Sequence, residues 1–355
     1  MDNNSFAYNG FTYTKQDIGK NSGVDVFHNI PKPEKVFKYY SLNKYNVDAL
    51  TEGYFYASHP FELNDYLDSS PFLLISSIKQ PLFKYRNLFQ GLISEKELED
   101  YYESDFTGKM FIKLFWDLIS NIFGVISLTS NEHCPLMWPH YTREKGFQIA
   151  FNSKNLEESL VENIDDGECF GLMPINYTNQ LQPIDLSAYD DYHIPFFYAT
   201  NIKTKLWKYE NEWRFLIGKK MMGVPYSKLS FTPISDYLTP PENRYTYYDK
   251  NIVEQITLGV NFFTTFDFEI EWLDDRNIQI KPIKGEGFSN FDAYAKLLAY
   301  ICDNLNDCLF QSSTKYEDNE DNTLRIIRTK ERLEIKRIKW NTYILTRTDE
   351  VINFF

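Results

Sequence analysis

The stretch "WKYENEWRFLI", Trp207 to Ile217, holds two acids and an arginine inside an apolar, aromatic run. Read as a strand, it alternates faces, so Glu210, Glu212 and Arg214 share one side. Tyr209, Asn211, Trp213, Phe215 and Ile217 then take the other. Carboxylates two residues apart on a strand lie roughly 7 Å from each other. That spacing lets both serve one substrate, or lets repulsion raise the pKa of one of them. An edge strand with a solvated charged face is the plainer reading of the same pattern.

Working outward, short β-like runs precede this strand. "VFKYYS" and "YFYAS" are rich in aromatic and β-branched residues, and between them "KYNVDALTEG" reads as a short helix stopped by Gly53. "PFELNDYLD" reads as a loop with Asn64 and Asp65 at turn positions. Residues 72–123 look mainly helical, with a capping box in "SEKELEDYYES" and a buried helix in "FIKLFWDLISNIF". "GVISLTS" and "GFQIAF" read as strands around the loop "NEHCPLMWPHYTREK", and "GLMPINYT" as one more strand. "IPFFYATNIKTKLW" reads as a helix leading into the opening stretch.

Further on, "KLSFTP", "NIVEQITLGVNFF", "EIEWL" and "IQIKPI" are strand candidates, and "SNFDAYAKLLAYICDNLNDCLF" carries a helical apolar stripe. After the charged loop "KYEDNEDNT", the segments "LRIIRTKERLEIKRIKW" and "NTYILTRT" resemble hairpin strands. The expected organisation is an N-terminal arm over 1–35, a core domain over 36–285 and a helix-plus-hairpin appendage over 286–355. The expected fold class is α+β, with small mixed or antiparallel sheets and a helical insertion.

A net charge of −13 argues against a surface devoted to phosphates of nucleic acid. The basic residues of the tail, from Arg325 to Lys339, could still meet an acidic partner or nucleic acid, although a solvated strand face explains them more simply. Four cysteines without a CxxC pair read as reduced thiols. The N-terminus lacks a secretory pattern and no apolar run reaches spanning length, so a cytoplasmic protein without membrane contact is expected. His133, Cys134, His140 and Cys169 match no common zinc spacing, so no metal is expected there. Neither a GxGxxG, a P-loop nor a GxSxG occurs.

Taken in order, "FKYYS", "GYFYASHPFELNDYLD", "LMWPHYTREKGFQIAF", "KLWKYENEWRFLI" and "VEQITLGVNF" are similar to the bacterial DUF2971 family, a domain of unknown function. The residues carrying the resemblance are Lys38-Tyr39, Asn64-Asp65, Met137-Trp138 with Tyr141, and Trp207, Tyr209, Glu210, Glu212 and Arg214. Tyr66-Leu67 depart from the family's Pro-Phe. More distantly the order resembles ADP-ribosyltransferases, which split two small sheets around a cleft.

That second resemblance implies NAD as co-substrate and a toxin or phage-defence effector, acting on a protein or nucleic-acid acceptor. Glu212 would hold the nicotinamide ribose and stabilise an oxocarbenium-like transition state, and Glu210 would orient or deprotonate the acceptor. Lys38 or Tyr39 would contact the nucleotide and Tyr56 or Ser58 would flank the nicotinamide. Asn64, Asp65, Trp138, Tyr141 and Arg214 complete the implied binding set. Two other readings stay open: a non-enzymatic interaction or sensing module, and a metal-dependent hydrolase or nuclease using Asp65, Asp68, Glu210 and Glu212.

Overall fold

A computed structural model of the 355-residue chain describes residues 4–18, 21–65, 67–77, 94, 96, 99–100, 108–164, 167–190, 192–219, 222–223, 239–284, 290–318 and 323–354. The fold is mixed α+β, with several small sheets and one large one. The chain divides into two compact units whose segments interleave along the sequence. The first comprises Met1–Lys32, Tyr56–Ser127 and Ile164–Thr246; the second comprises Pro33–Phe55, Leu128–Asn163 and Tyr247–Phe355.

In the first unit, residues 5–27, read from sequence as an extension or arm, form three antiparallel strands: Ser5–Tyr8, Phe11–Ile18 and Asn21–Phe27. Asn9 and Gly10, at φ 50° and 81°, make the two-residue turn between the first pair, where both positions need positive φ. Tyr13 lies fully buried and donates to Asn201 Oδ1 at 2.7 Å, so this sheet packs on its own unit.

The strand Glu212–Lys219 runs between Phe123–Thr129 and Gly167–Pro174, antiparallel to the latter. It is an interior strand, buried along its first six residues, which removes the reading of an exposed edge. The helices Gly108–Ser120 and His193–Asn201 supply the aromatic core, including Phe111, Phe115, Trp116, Phe196 and Phe197. All nine residues of the second helix are buried, so it shows no amphipathic stripe.

Two element readings change in this unit. "KLWKYE" is a 3-10 helix, Lys205–Glu210, ended by Asn211 in the left-handed region at φ 42° and ψ 51°. Asn tolerates that conformation better than most residues, and the strand begins only at Glu212. Strand alternation therefore governs Glu212 and Arg214 but not Glu210. The helix read through "IPFFYATNIKTKLW" stops at Asn201, because Ile202–Thr204 pairs in parallel with Asn176–Thr178. "GLMPINYT" correspondingly splits into Gly167–Pro174 and Asn176–Thr178. The capping box at 94–97 lies partly, and "KLSFTP" wholly, outside the described residues, as does Tyr66.

Among the described residues of the second unit, strands hydrogen-bond side by side in the order Phe268–Trp272, Asn277–Pro282, Thr342–Phe354, Leu324–Lys339, Leu309–Asp318, Val253–Leu258, Phe147–Asn152 and Lys35–Tyr40. Leu309–Asp318 pairs with both Val253–Leu258 and Leu324–Lys339, and takes in Lys315–Asp318, which the sequence suggested was loop. Asn43 caps the helix Lys44–Glu52 by accepting from Asn46 N at 2.9 Å, and Gly53 ends it at φ 76°. The helix Phe291–Asn304 buries Tyr294, Leu297, Leu298 and Ile301, the stripe expected from its spacing. Lys296 on that helix reaches Asp48 on the shorter one at 2.5 Å.

Candidate functional site

Glu212 and Arg214 stand on the same face of their strand, and Arg214 Nε donates to Glu212 Oε1 at 2.6 Å. The guanidinium also reaches Asp68, with Nη1–Oδ1 at 2.7 Å and Nη2–Oδ2 at 2.6 Å. Two further acceptors complete it: Ser69 Oγ at 3.2 Å and the Thr200 carbonyl at 2.9 Å. Lys203 Nζ donates to Glu210 Oε2 at 2.7 Å and Glu212 Oε2 at 2.9 Å, with Asp68 Oδ2 at 3.5 Å. Trp207 covers the ammonium from 5.0 Å. None of these five charged residues is more than 7% exposed.

Local structure explains how the members arrive. Asp65 accepts from Leu67 N at 3.0 Å in an Asx turn, and its carbonyl takes Asp68 N at 3.0 Å, which turns Asp68 into the unit's interior. The left-handed Asn211 reverses the chain between Glu210 and Glu212, so both carboxylates reach Lys203 despite lying on different elements.

Burial alone would raise the Glu212 pKa, but the charges of Arg214 and Lys203 outweigh it and hold the carboxyl at about 2. Burial would likewise lower Lys203, yet Glu212, Asp68 and Glu210 keep it above the ordinary lysine range. Arg214 is also raised, by Asp68 and Glu212 against burial. Glu212, Lys203 and Arg214 are thus each held in the charged form by their neighbours. The Lys203 ammonium sits among three carboxylates. Among the described residues no group of His, Cys, Asp and Glu is placed to hold a metal.

The other residues singled out from sequence have separate surroundings. Tyr56 donates to both Glu62 oxygens, at 3.0 and 2.8 Å, and Glu62 also accepts from His59 N at 2.8 Å. Ser58 is bridged through its backbone to Val125, and Asn64 is exposed. Lys38, Tyr39, Trp138 and Tyr141 belong to the second unit. There Tyr39 donates to the Glu132 carbonyl at 3.0 Å and meets Trp138 edge-on at 5.1 Å. Trp138 is fully buried, a core residue rather than a platform on a loop.

Tyr141 has a different setting. Trp138–Thr142 forms a π-helical turn, followed by Arg143 and Glu144 at φ 54° and 60°. Such turns and strained pairs gather at functional sites. A cavity of about 620 Å³ opens beside this turn within the second unit, and Tyr141, Arg143, Lys145 and Asp267 line it. The sequence reading reached Tyr141 but not Arg143, Lys145 or Asp267. The "TREKG" run, basic residues before a glycine, was the available signal.

Residues 137–215 match the model of the family described as protein of unknown function (DUF2971). The resemblance read from the motifs therefore holds over this segment. The DUF2971 match takes in the π-helical turn and its two cations, and also Lys203, Glu210, Glu212 and Arg214; Asp68 lies outside it. Neither a curated protein nor a solved structure matches the chain.

Proposed function

We propose that this protein is a non-catalytic recognition or sensing module, in which the Glu-x-Glu-x-Arg segment is structural. One observation carries this reading: Asp68, Glu210 and Glu212 are buried and each is contacted by Lys203, Arg214 or both. A carboxylate that must meet a ribose or a metal cannot keep all its partners, and a fully satisfied buried network serves rigidity and uniqueness of packing. Among the described residues no helix is long and apolar enough to cross a membrane. A cytoplasmic location is part of this proposal, supported by the free thiols of Cys134, Cys169, Cys302 and Cys308, which suit a reducing compartment.

A second reading, NAD-consuming ADP-ribosyl transfer to a protein or nucleic-acid acceptor, draws support from one feature. Glu212 is held ionised, the state a carboxylate needs to stabilise an oxocarbenium-like centre. It would require Lys203 and Arg214 to release Glu212 toward a bound nucleotide. Purified protein incubated with NAD and assayed for free nicotinamide separates the two. The recognition reading expects no release above buffer. Release that disappears in Glu212→Gln, with the circular dichroism spectrum unchanged, would replace it with the transferase reading.

A further inference from the structure

The cavity beside Tyr141 brings together features that the buried network does not explain. Two helix N-termini line it, through their N-cap residues Asn43 and Asn290. Each N-terminus carries a partial positive charge, and Asn43 already accepts from Asn46 N at the first of them. The helix Lys44–Glu52 has no acid in its first turn. The helix Phe291–Asn304 has Asp292 there, but Asn290 makes no side-chain capping bond. Arg143 and Lys145 add two full positive charges at the same wall. Arg143 makes no ion pair among the described residues, while Lys145 lies 3.5 Å from Asp267 Oδ2.

The wall holding these cations is rigid. Glu144 O accepts from Asn261 N at 2.9 Å and Gly146 O from Gly259 N at 2.9 Å. A Cβ on Gly146 would stand 2.0 Å from the Tyr40 carbonyl, so the backbones are in close contact there. The left-handed pair at Arg143 and Glu144 is thus held in place rather than relaxed. Arg143 and Lys145 extend as exposed side chains from this fixed backbone, and cations beside helix N-termini favour an anion.

Asp267 supplies the opposite chemistry a short way off. Its Oδ2 accepts from Thr264 Oγ1 at 2.7 Å and from Tyr294 OH at 3.4 Å, and its Oδ1 makes no hydrogen bond or ion pair among the described residues. A carboxylate oxygen with open acceptor capacity recognises a hydroxyl. The volume of about 620 Å³ exceeds what a bare phosphate fills.

We propose that this cavity binds a small phosphate ester bearing free sugar hydroxyls. The phosphate lies between Arg143, Lys145 and the two helix N-termini, a sugar hydroxyl donates to Asp267, and the Tyr141 ring flanks the remainder. The proposal rests on the recognition reading, because the ligand is held and not turned over.

Isothermal titration calorimetry of the full chain tests it with ribose 5-phosphate, AMP, inorganic phosphate and adenosine. Saturable binding of ribose 5-phosphate or AMP, with adenosine silent, is expected. AMP binding tighter than ribose 5-phosphate assigns a nucleotide, and equal binding assigns a sugar phosphate. Arg143→Asn, chosen because Asn accepts positive φ, weakens binding about tenfold or more, and Lys145→Gln does likewise. Asp267→Asn weakens the sugar phosphates while leaving inorganic phosphate unchanged. Failure of both esters to bind, or binding untouched in folded Arg143→Asn and Lys145→Gln, overturns the site. That result leaves the recognition reading standing, whereas Glu212-dependent nicotinamide release would remove that reading whatever the calorimetry gives.

Discussion

Arg214 and Asp68 meet through two parallel hydrogen bonds, at 2.7 and 2.6 Å, across 146 residues of sequence. Both side chains are buried, so their charges have no water to fall back on. Two-point guanidinium–carboxylate contacts are the strongest and most directional of ion pairs. This one ties the turn after "PFELND" to the interior strand Glu212–Lys219.

Removing one partner leaves the other charge buried and exposed to its neighbours' fields. Asp68→Ala is expected to lower unfolding stability by about 3–5 kcal/mol. Arg214→Lys should also destabilise, because a lysine cannot reproduce the planar fork. Urea denaturation followed by tryptophan fluorescence measures both. Losses under about 1 kcal/mol would show the pair behaving like a surface bridge.

Lys203 stands among three acids, so its loss uncovers their mutual repulsion. Lys203→Met should destabilise the protein, and adding Glu210→Gln should restore part of the loss. The coupling between the two positions is expected at about 0.5–3 kcal/mol in a double-mutant cycle. Strict additivity would mean that Glu210 does not depend on Lys203.

Acid should unfold this protein in two overlapping stages. Burial, followed by the Arg244 charge, lowers the His59 pKa from 6.5 to about 3; burial, followed by the Arg328 charge, lowers His133 to about 4. A histidine depressed in the folded state binds protons first in the unfolded state, so stability falls as pH drops below 6.5 toward those values. Glu212, lowered from 4.5 to about 2, adds a second loss as pH falls from 4.5 to 2. Its contribution is fully present above 4.5. Melting temperatures recorded from pH 8 to pH 3 should decline with no acid-side rise. His59→Gln and His133→Gln should each flatten the upper part of that decline.

Gly146 and Gly259 are expected to resist substitution for steric reasons. Their added Cβ atoms would meet Tyr40 O at 2.0 Å and Glu144 O at 2.3 Å, both backbone atoms that cannot swing aside. Gly146→Ala or Gly259→Ala should cost about 1–3 kcal/mol in thermal or urea unfolding. Either change should also shift the Arg143–Lys145 wall and weaken phosphate-ester binding. Full stability in both variants would show the wall to be pliant.

Local chemistry was legible in the chain wherever period and caps agree. Asn43 and Gly53 bound their helix, the apolar spacing of Tyr294, Leu297, Leu298 and Ile301 marks another, and Gly108–Ser120 follows its buried pattern. Glu212 and Arg214 share a face, as strand alternation dictates. These features depend on residues within a turn or two of one another, so the sequence carries them directly. The N-terminal strands were missed because their stabilising partners, such as Asn201 and Tyr198, are distant in sequence.

Tertiary structure alone decided what the acids do. The left-handed Asn211 takes Glu210 off the strand, and Lys203, hidden in a stretch that reads as helix, turns two suspected catalytic carboxylates into halves of ion pairs. Asp68 joins them from a loop whose local sequence signals only a turn. The cavity is likewise assembled from the starts of two helices, a π-helical turn and Asp267. A residue's charge is written in the sequence, but whether that charge is neutralised in the interior or offered to a ligand depends on which distant groups the fold sets within 3 or 4 Å of it.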